Sequence, residues 1–316
     1  MKMPPTPVPQ QNYGSKETLN PLFLSPLRDP VVGAIFQNVE HAGLAAKSLL
    51  GSILAEDGLT IEEIIEVTPQ TYYKVYPDMR GVRVDVHLKT VDGKRYIVEV
   101  QIEPEPIIER NLFAAAHTIV SNMKTGTKSK EFDQIFPTII VINILNFELR
   151  KGHTDFLQPV GLLYTKEPHQ VADNHFRIYN IQLPTFRKQE HDLSNPLHAW
   201  LYLLDSAHQQ QKSIQEVIEM EPRLKEFIDL DPGMKQFVEE YERATADQKM
   251  RDDYANYIME MMRMDGMYRA AVQEGREESR YEFVRKMLSQ GIPLETISIC
   301  ADLPMEEVLK ISRTTT

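Results

Sequence analysis

Apolar side chains follow changing rhythms along this chain. Val31, Ile35 and Val39, then Leu44, Leu49, Leu50, Ile53 and Leu54, recur at helical spacing and predict two helices. Ile64 to Val67 begins a sheet, and the run from Tyr72 to Val75 reads as its continuation. Val82, Val84 and Val86, then Ile97, Val98, Val100 and Ile102, predict strands over 82–89 and 94–102. Pro104 and Pro106 end the second of these, and a helix is expected over about 108–123. The run 136–145 is apolar apart from Asn143, the pattern of a central strand covered on both faces. Shorter strands over 158–164 and 175–182 extend the sheet, giving an α/β core that ends near Arg187: a mixed central sheet flanked by helices. Beyond it the chain reads as helical, with elements at 195–204 and 213–218. A long helix then runs from about 233 to 290, with Gly266 and Gly275 as candidate breaks and Gly291 as its C-cap. Two short helices, 292–301 and 304–312, close the chain.

This divides the chain into a tail (1–20), a core (21–190) and a helical C-terminal region (191–316). The tail is rich in Pro, Gln, Thr and Ser and reads as disordered. The final helices look like half a helix-turn-helix, but from Leu294 onward four acids face only Lys310 and Arg313. That charge is wrong for a DNA reader and fits self-association or partner binding better. The methionines between Met259 and Met267 read as packing positions on such a helix.

Acids within the strand pair alter the picture. Asp85 lies on one strand, and Glu99 and Gln101 on the other, joined by Thr90-Val91-Asp92-Gly93-Lys94. A two-residue Asp92-Gly93 loop would set Asp85 opposite Val100 and turn Glu99 to the other face. A three-residue loop with Gly93 left-handed pairs Thr90 with Lys94 and sets Asp85 opposite Glu99; this is the register expected here. Two facing carboxylates suit a hard cation such as Mg²⁺, which takes oxygen ligands. The plainer reading of alternating Glu99, Gln101 and Glu103 is the solvated face of an amphipathic strand. Arg83 and His87 share the Asp85 face; Arg83 would contact phosphate or pair with the acids, and a lone strand histidine is more often structural. Tyr72 and Tyr73 are more readily core residues than base-stacking ones.

Composition narrows the class. The 316 residues carry 42% hydrophobic and 26% charged side chains, ordinary for a folded protein with a sizeable core. A single cysteine, Cys300, excludes an intramolecular disulfide framework, and no Cys/His spacing points to zinc. No apolar run is long enough to cross a bilayer, and no signal sequence is visible, so a cytoplasmic location is expected. The net charge of −11 argues against a broadly basic nucleic-acid binder. A local basic patch remains: Lys124, Lys128 and Lys130 close a stretch with no acid from Asn111 through Ser129, and Arg110 precedes it. Those lysines would meet phosphate, or simply solvate a helix end.

Asp85, a hairpin, then Glu99-Val100-Gln101 resembles the PD-(D/E)xK nuclease signature in the variant where Gln replaces Lys. Flanking stretches resemble one branch, the Rpn recombination-promoting nucleases and related transposases. Leu24 to Asp29 with the helix through Phe36 is similar to the branch's opening segment, and Ile107-Ile108-Glu109-Arg110 to its Arg-bearing helix start. The strand Phe136 to Phe147, the segment Gln182-Leu183-Pro184-Thr185-Phe186, then His198 to Leu201 and Glu274 to Glu278 follow in the same order. Departures fall at Gly33, His117, Gln182 and Thr185, where the branch often has Lys, Tyr, Glu and Lys. These bear on substrate contacts rather than on the acids.

The resemblance implies a restriction-endonuclease-like core and Mg²⁺-dependent (or Mn²⁺-dependent) hydrolysis of DNA phosphodiesters, associated with recombination or mobile elements. Asp85 and Glu99 would hold the metal, with the backbone carbonyl of Val100 as a further ligand and Gln101 orienting the water. Asp29 is the implied extra acid, although before Pro30 it also reads as a helix N-cap. DNA contacts would fall to Arg83, Arg110, Lys124, Lys128 and Lys130, and the C-terminal helices would support a homo-oligomer. The rival is a catalytically silent relative that binds a regulatory partner through those helices.

Overall fold

The computed structural model describes residues 20, 22–37, 39–73, 82–122, 136–149 and 152–314. Most of the tail, Val75, Lys124, Lys128 and Lys130 lie outside the described residues.

Helices α1 (Asp29–Ile35) and α2 (Val39–Ala55) lead into strands β1 (Ile64–Tyr73), β2 (Val82–Thr90) and β3 (Arg95–Gln101). Helix α3 (Ile107–Asn122) connects β3 to β4 (Ile139–Leu145), and β5 (Leu157–Tyr164) and β6 (Glu167–Gln182) complete the sheet. The six strands run in the order β1-β2-β3-β4-β6-β5. Strands β3, β4 and β6 are parallel, and β1, β2 and β5 are antiparallel to their neighbours. The expected α/β architecture is present: a mixed sheet packed against helices, followed by a long helical region. Every residue of β4 is buried, as a strand covered on both faces requires.

Side-chain alternation on the central strands defines the two faces. Val86, Leu88, Val98 and Val100 line one apolar crevice with Leu49 and Leu50 of α2. Ile97, Ile139, Val141 and Ile178 pack on the other face against Ala114 and Ala115 of α3. Even and odd positions of β3 therefore serve different layers.

After β6 come α4 (Leu183–Phe186), α5 (Pro196–Gln210), α6 (Ile214–Met220), α7 (Pro222–Leu230) and α8 (Pro232–Ala246). Asn195 starts α5 by accepting the amides of Leu197 and His198, and Ser213 and Glu216 form a capping box on α6. Helix α8 lies against α2 so closely that a Cβ at Gly233 would run into the Leu44 carbonyl oxygen. Trp200 of α5, fully buried, donates its indole N–H to Ser48 of α2 at 2.9 Å and meets Phe237 of α8 edge-on.

The chain forms two compact units, one up to Ala255 and one over Asn256–Thr316. The second contains the later part of α9 (Gln248–Ser289), then α10 (Leu294–Ala301) and α11 (Met305–Thr314). Its core is Val284, Ile297, Ala301, Leu303, Val308 and Ile311. Gly291, at φ +72°, ends α9 as expected.

The expected long helix is broken at another place. The interruption is at Asp247, whose carboxylate accepts the Met250 amide and caps α9. Helix α9 passes unbroken through Gly266 and Gly275. Each glycine costs a helix only about 1 kcal/mol, and flanking helix formers offset that where the side is open. Helix α1 also begins one residue early: Arg28 is the N-cap and Asp29 the first helical residue, so Asp29 is not the cap. An acid there still suits the positive end of the helix dipole.

Candidate active site

The turn sets the site. Thr90 N–H donates to Lys94 O at 3.1 Å, and Gly93 N–H donates back to Thr90 O at 2.9 Å. Gly93 stands at φ +84°, the left-handed conformation that glycine adopts at least cost. The loop is therefore the three-residue form, and the register continues through Lys89–Arg95, Leu88–Tyr96, His87–Ile97 and Val86–Val98. The paired register ends there, one residue short of Asp85, and Val84 packs with Ile97 on the α3 face while Val86 lines the opposite crevice, so regular alternation on β2 is not kept past Val86.

There the ladder stops and the strands part. Odd residues of β3 direct their backbone groups at β4: Arg95 N–H donates to Thr138 O, and Asn146 N–H donates to Gln101 O. Those of Val100 must point toward β2. The Val100 N–H meets the Asp85 carboxylate there, donating to Oδ2 at 2.7 Å. Asp85 is only 5% exposed and replaces a backbone rung with a charged acceptor.

Glu99 is buried more deeply, at 1% exposure, so the solvated-face reading of this strand does not apply to it. Gln101 Nε2 donates to its Oε2 at 3.2 Å, and Arg110 of α3 stands 3.5 Å from the same oxygen. Arg110 is shared, donating to Glu105 Oε2 at 2.6 Å. Burial, with the Asp85 charge second, pushes the Glu99 carboxyl up to about 9, against the opposing pull of Arg110. Burial and the Arg95 charge hold His87 down at about 4, so it is neutral near pH 7.

Asp85, Glu99, Val100, Gln101 and Arg110 thus come together at one end of the β2–β3 pair. Arg83 lies on β2 two residues before Asp85. Among the described residues, no three His, Cys, Asp or Glu side chains gather as a metal-holding group. Neither Asp29 nor Glu105 makes a third acid with the central pair. Glu105, the partner of Arg110, went unrecognised in the sequence because it follows the strand-ending Pro104 and carries no periodic signal. Three buried asparagines on the Glu99 face, Asn111, Asn143 and Asn180, were equally unmarked by any motif, although Asn143 interrupts an apolar strand.

The core is thus a mixed α/β sheet with an Asp on one central strand and Glu-x-Gln on the next. A family model for PD-(D/E)XK nuclease family transposases matches residues 40–261, and the chain belongs to that family. Membership points to a nuclease linked to mobile elements: a phosphodiesterase acting on DNA, in a family that typically uses divalent metal ions. No curated protein and no solved structure matches the chain. No helix among the described residues is long and apolar enough to cross a membrane.

Proposed function

We propose that the protein is a metal-dependent DNA endonuclease, with Asp85 and Glu99 as the acids that hold Mg²⁺ or Mn²⁺. The supporting observation is the burial of Asp85 and Glu99 at neighbouring positions, with Arg110 beside Glu99 and also bound to Glu105. Burying a carboxylate charge beside another is costly, and the raised Glu99 carboxyl expresses that cost. Hard oxygen donors of this kind fit a divalent cation, completed by water and substrate oxygens. The Val100 carbonyl faces the Asp85 side of β3 by strand alternation and is the natural third oxygen. A cation so held supplies charge neutralisation at phosphorus and acidifies a bound water.

This chain's own residues do the rest. The Val100 amide fixes the Asp85 carboxylate, and Arg110 with Gln101 fixes that of Glu99. The Gln101 amide has no charge to offer; it orients by hydrogen bonding, to Glu99 on one side and to the attacking water on the other. Asp29 is at most an outlying acid. Arg83, Arg110, Lys124, Lys128 and Lys130 are the cations assigned to the DNA backbone, and residues 191–316 are assigned to association or regulation.

The test is conversion of supercoiled plasmid to open circles in Mg²⁺ or Mn²⁺, beside Asp85→Ala. The parent should nick, and the variant should lose at least about 100-fold in rate. Equal activity, or equal inactivity with no metal uptake by calorimetry, refutes the assignment.

A further inference from the structure

On the sheet face that carries Glu99, side chains form layers that run across the strands. Ile97, Val141 and Ile178 are register neighbours on β3, β4 and β6, and they pack with Ala114 and Ala115 of α3. Two residues further along the same strands, the next layer is Glu99, Asn143 and Asn180. Helix α3 runs back over this face, since Arg110, one turn before Ala114, reaches Glu99. Asn111 lies three and four residues before Ala114 and Ala115 and so shares the helix face that they turn to the sheet, one turn closer to the start of α3.

A layer that ordinary packing would fill with aliphatic side chains is polar throughout. Asn111 is 1% exposed, Asn143 0% and Asn180 2%. Asn143 Nδ2 donates to Asn180 Oδ1 at 2.7 Å. Asn143 Oδ1 and both amide atoms of Asn111 are buried with no hydrogen-bond partner among the described residues. Each such atom costs about 1–3 kcal/mol, a penalty that leucine would avoid. A buried water needs two to four polar partners, and this layer offers acceptors and a donor beside a carboxylate.

We infer that Asn111 and Asn143 enclose a buried water site next to Glu99, and that the two amides are positioning residues which orient its carboxylate through that water. The inference rests on Glu99 being a metal ligand, as proposed above. Partners one step removed from a metal fix the direction of its ligands, and their loss typically costs 10–100-fold in affinity.

Asn111→Leu and Asn143→Leu remove the amides while keeping the branched side-chain shape, and three measurements separate the possibilities: the melting temperature of the metal-free protein, Mn²⁺ affinity by calorimetry, and the kcat and KM of plasmid nicking. The leucine variants should melt at or above the parent, bind Mn²⁺ about 10–100-fold more weakly, and lose kcat with little change in KM. Asn111→Ser, which leaves room and a hydroxyl for the water, should recover part of the affinity. Leucine variants that bind and nick like the parent would overturn the inference while leaving the nuclease reading intact. A parent that takes up no Mn²⁺ would overturn the nuclease reading itself. Should leucine prevent folding, a high-resolution crystal structure of the parent decides: a water bonded to Asn111 and Asn143 supports the site, and none overturns it.

Discussion

Replacing Glu99 by Gln should change how the stability of the metal-free protein depends on pH. In the fold Glu99 keeps its proton up to about 9, whereas the ordinary carboxyl releases it near 4.5. Between those values the native state binds the extra proton, so the stability linked to this group is whole below the unfolded value and drains away as pH rises toward 9. One proton sets an upper slope of about 1.4 kcal/mol per pH unit, or up to about 3 kcal/mol across pH 6.5–8.5. For a protein whose total stability is about 5–15 kcal/mol, that is readily measured. His87 and His208, both held near 4 by burial, act on the other side. Their contribution is complete only above about pH 7.5 and falls away as pH drops through 6.5, so the difference between parent and variant isolates Glu99. Urea unfolding of the parent and Glu99→Gln at half-unit intervals would show a falling stability for the parent and a flatter line for the variant. Mg²⁺ should restore the parent increasingly as pH rises, because metal and proton compete for one carboxylate. Identical slopes for the two proteins would refute the claim that Glu99 is buried beside a second negative charge.

Arg110→Met should destabilise the metal-free protein by about 1.5–3 kcal/mol in urea unfolding near pH 7, since Glu105 loses its cation, and by more as pH rises toward 9 and Glu99 ionises; Glu99→Gln should remove that pH-dependent part. Gly93→Ala should cost about 1 kcal/mol by the same measurement, because alanine resists φ +84°. Gly233→Ala should cost more, about 2 kcal/mol or above, because its Cβ would run into the Leu44 carbonyl, and a lowered melting temperature checks it. Gly266→Ala and Gly275→Ala meet open space and should each raise helix stability by about 0.5–1 kcal/mol, read as slower proteolysis or a higher melting temperature.

Much of this was legible because local chemistry and global packing agreed. Gly93 allowed the three-residue turn, and the alternation of Val98 and Val100 with Glu99 and Gln101 then left one sensible register. The apolar run of β4 announced its central place. What could not be read depended on neighbours distant in sequence. Asn143 is a lone polar residue until the strand order sets it between Glu99 and Asn180. Asn111 is an ordinary helix residue until α3 is laid over that layer. The break before α9 carries no glycine: it uses an aspartate cap, while both glycines of the long helix lie inside it. Asp247, three residues before the amide it caps, carried that signal.

The polar band across β3, β4 and β6 also says how such a protein would decay. On the nuclease reading proposed above, selection for hydrolysis is the force that holds amides and an acid where aliphatic side chains would avoid the cost of buried polar atoms. Once that force lapses, aliphatic replacements there gain stability rather than lose it, so they should accumulate together and early. A descendant that has stopped cutting would then be recognised by a greasy central layer, even while its turns, caps and outer helices still look ancestral.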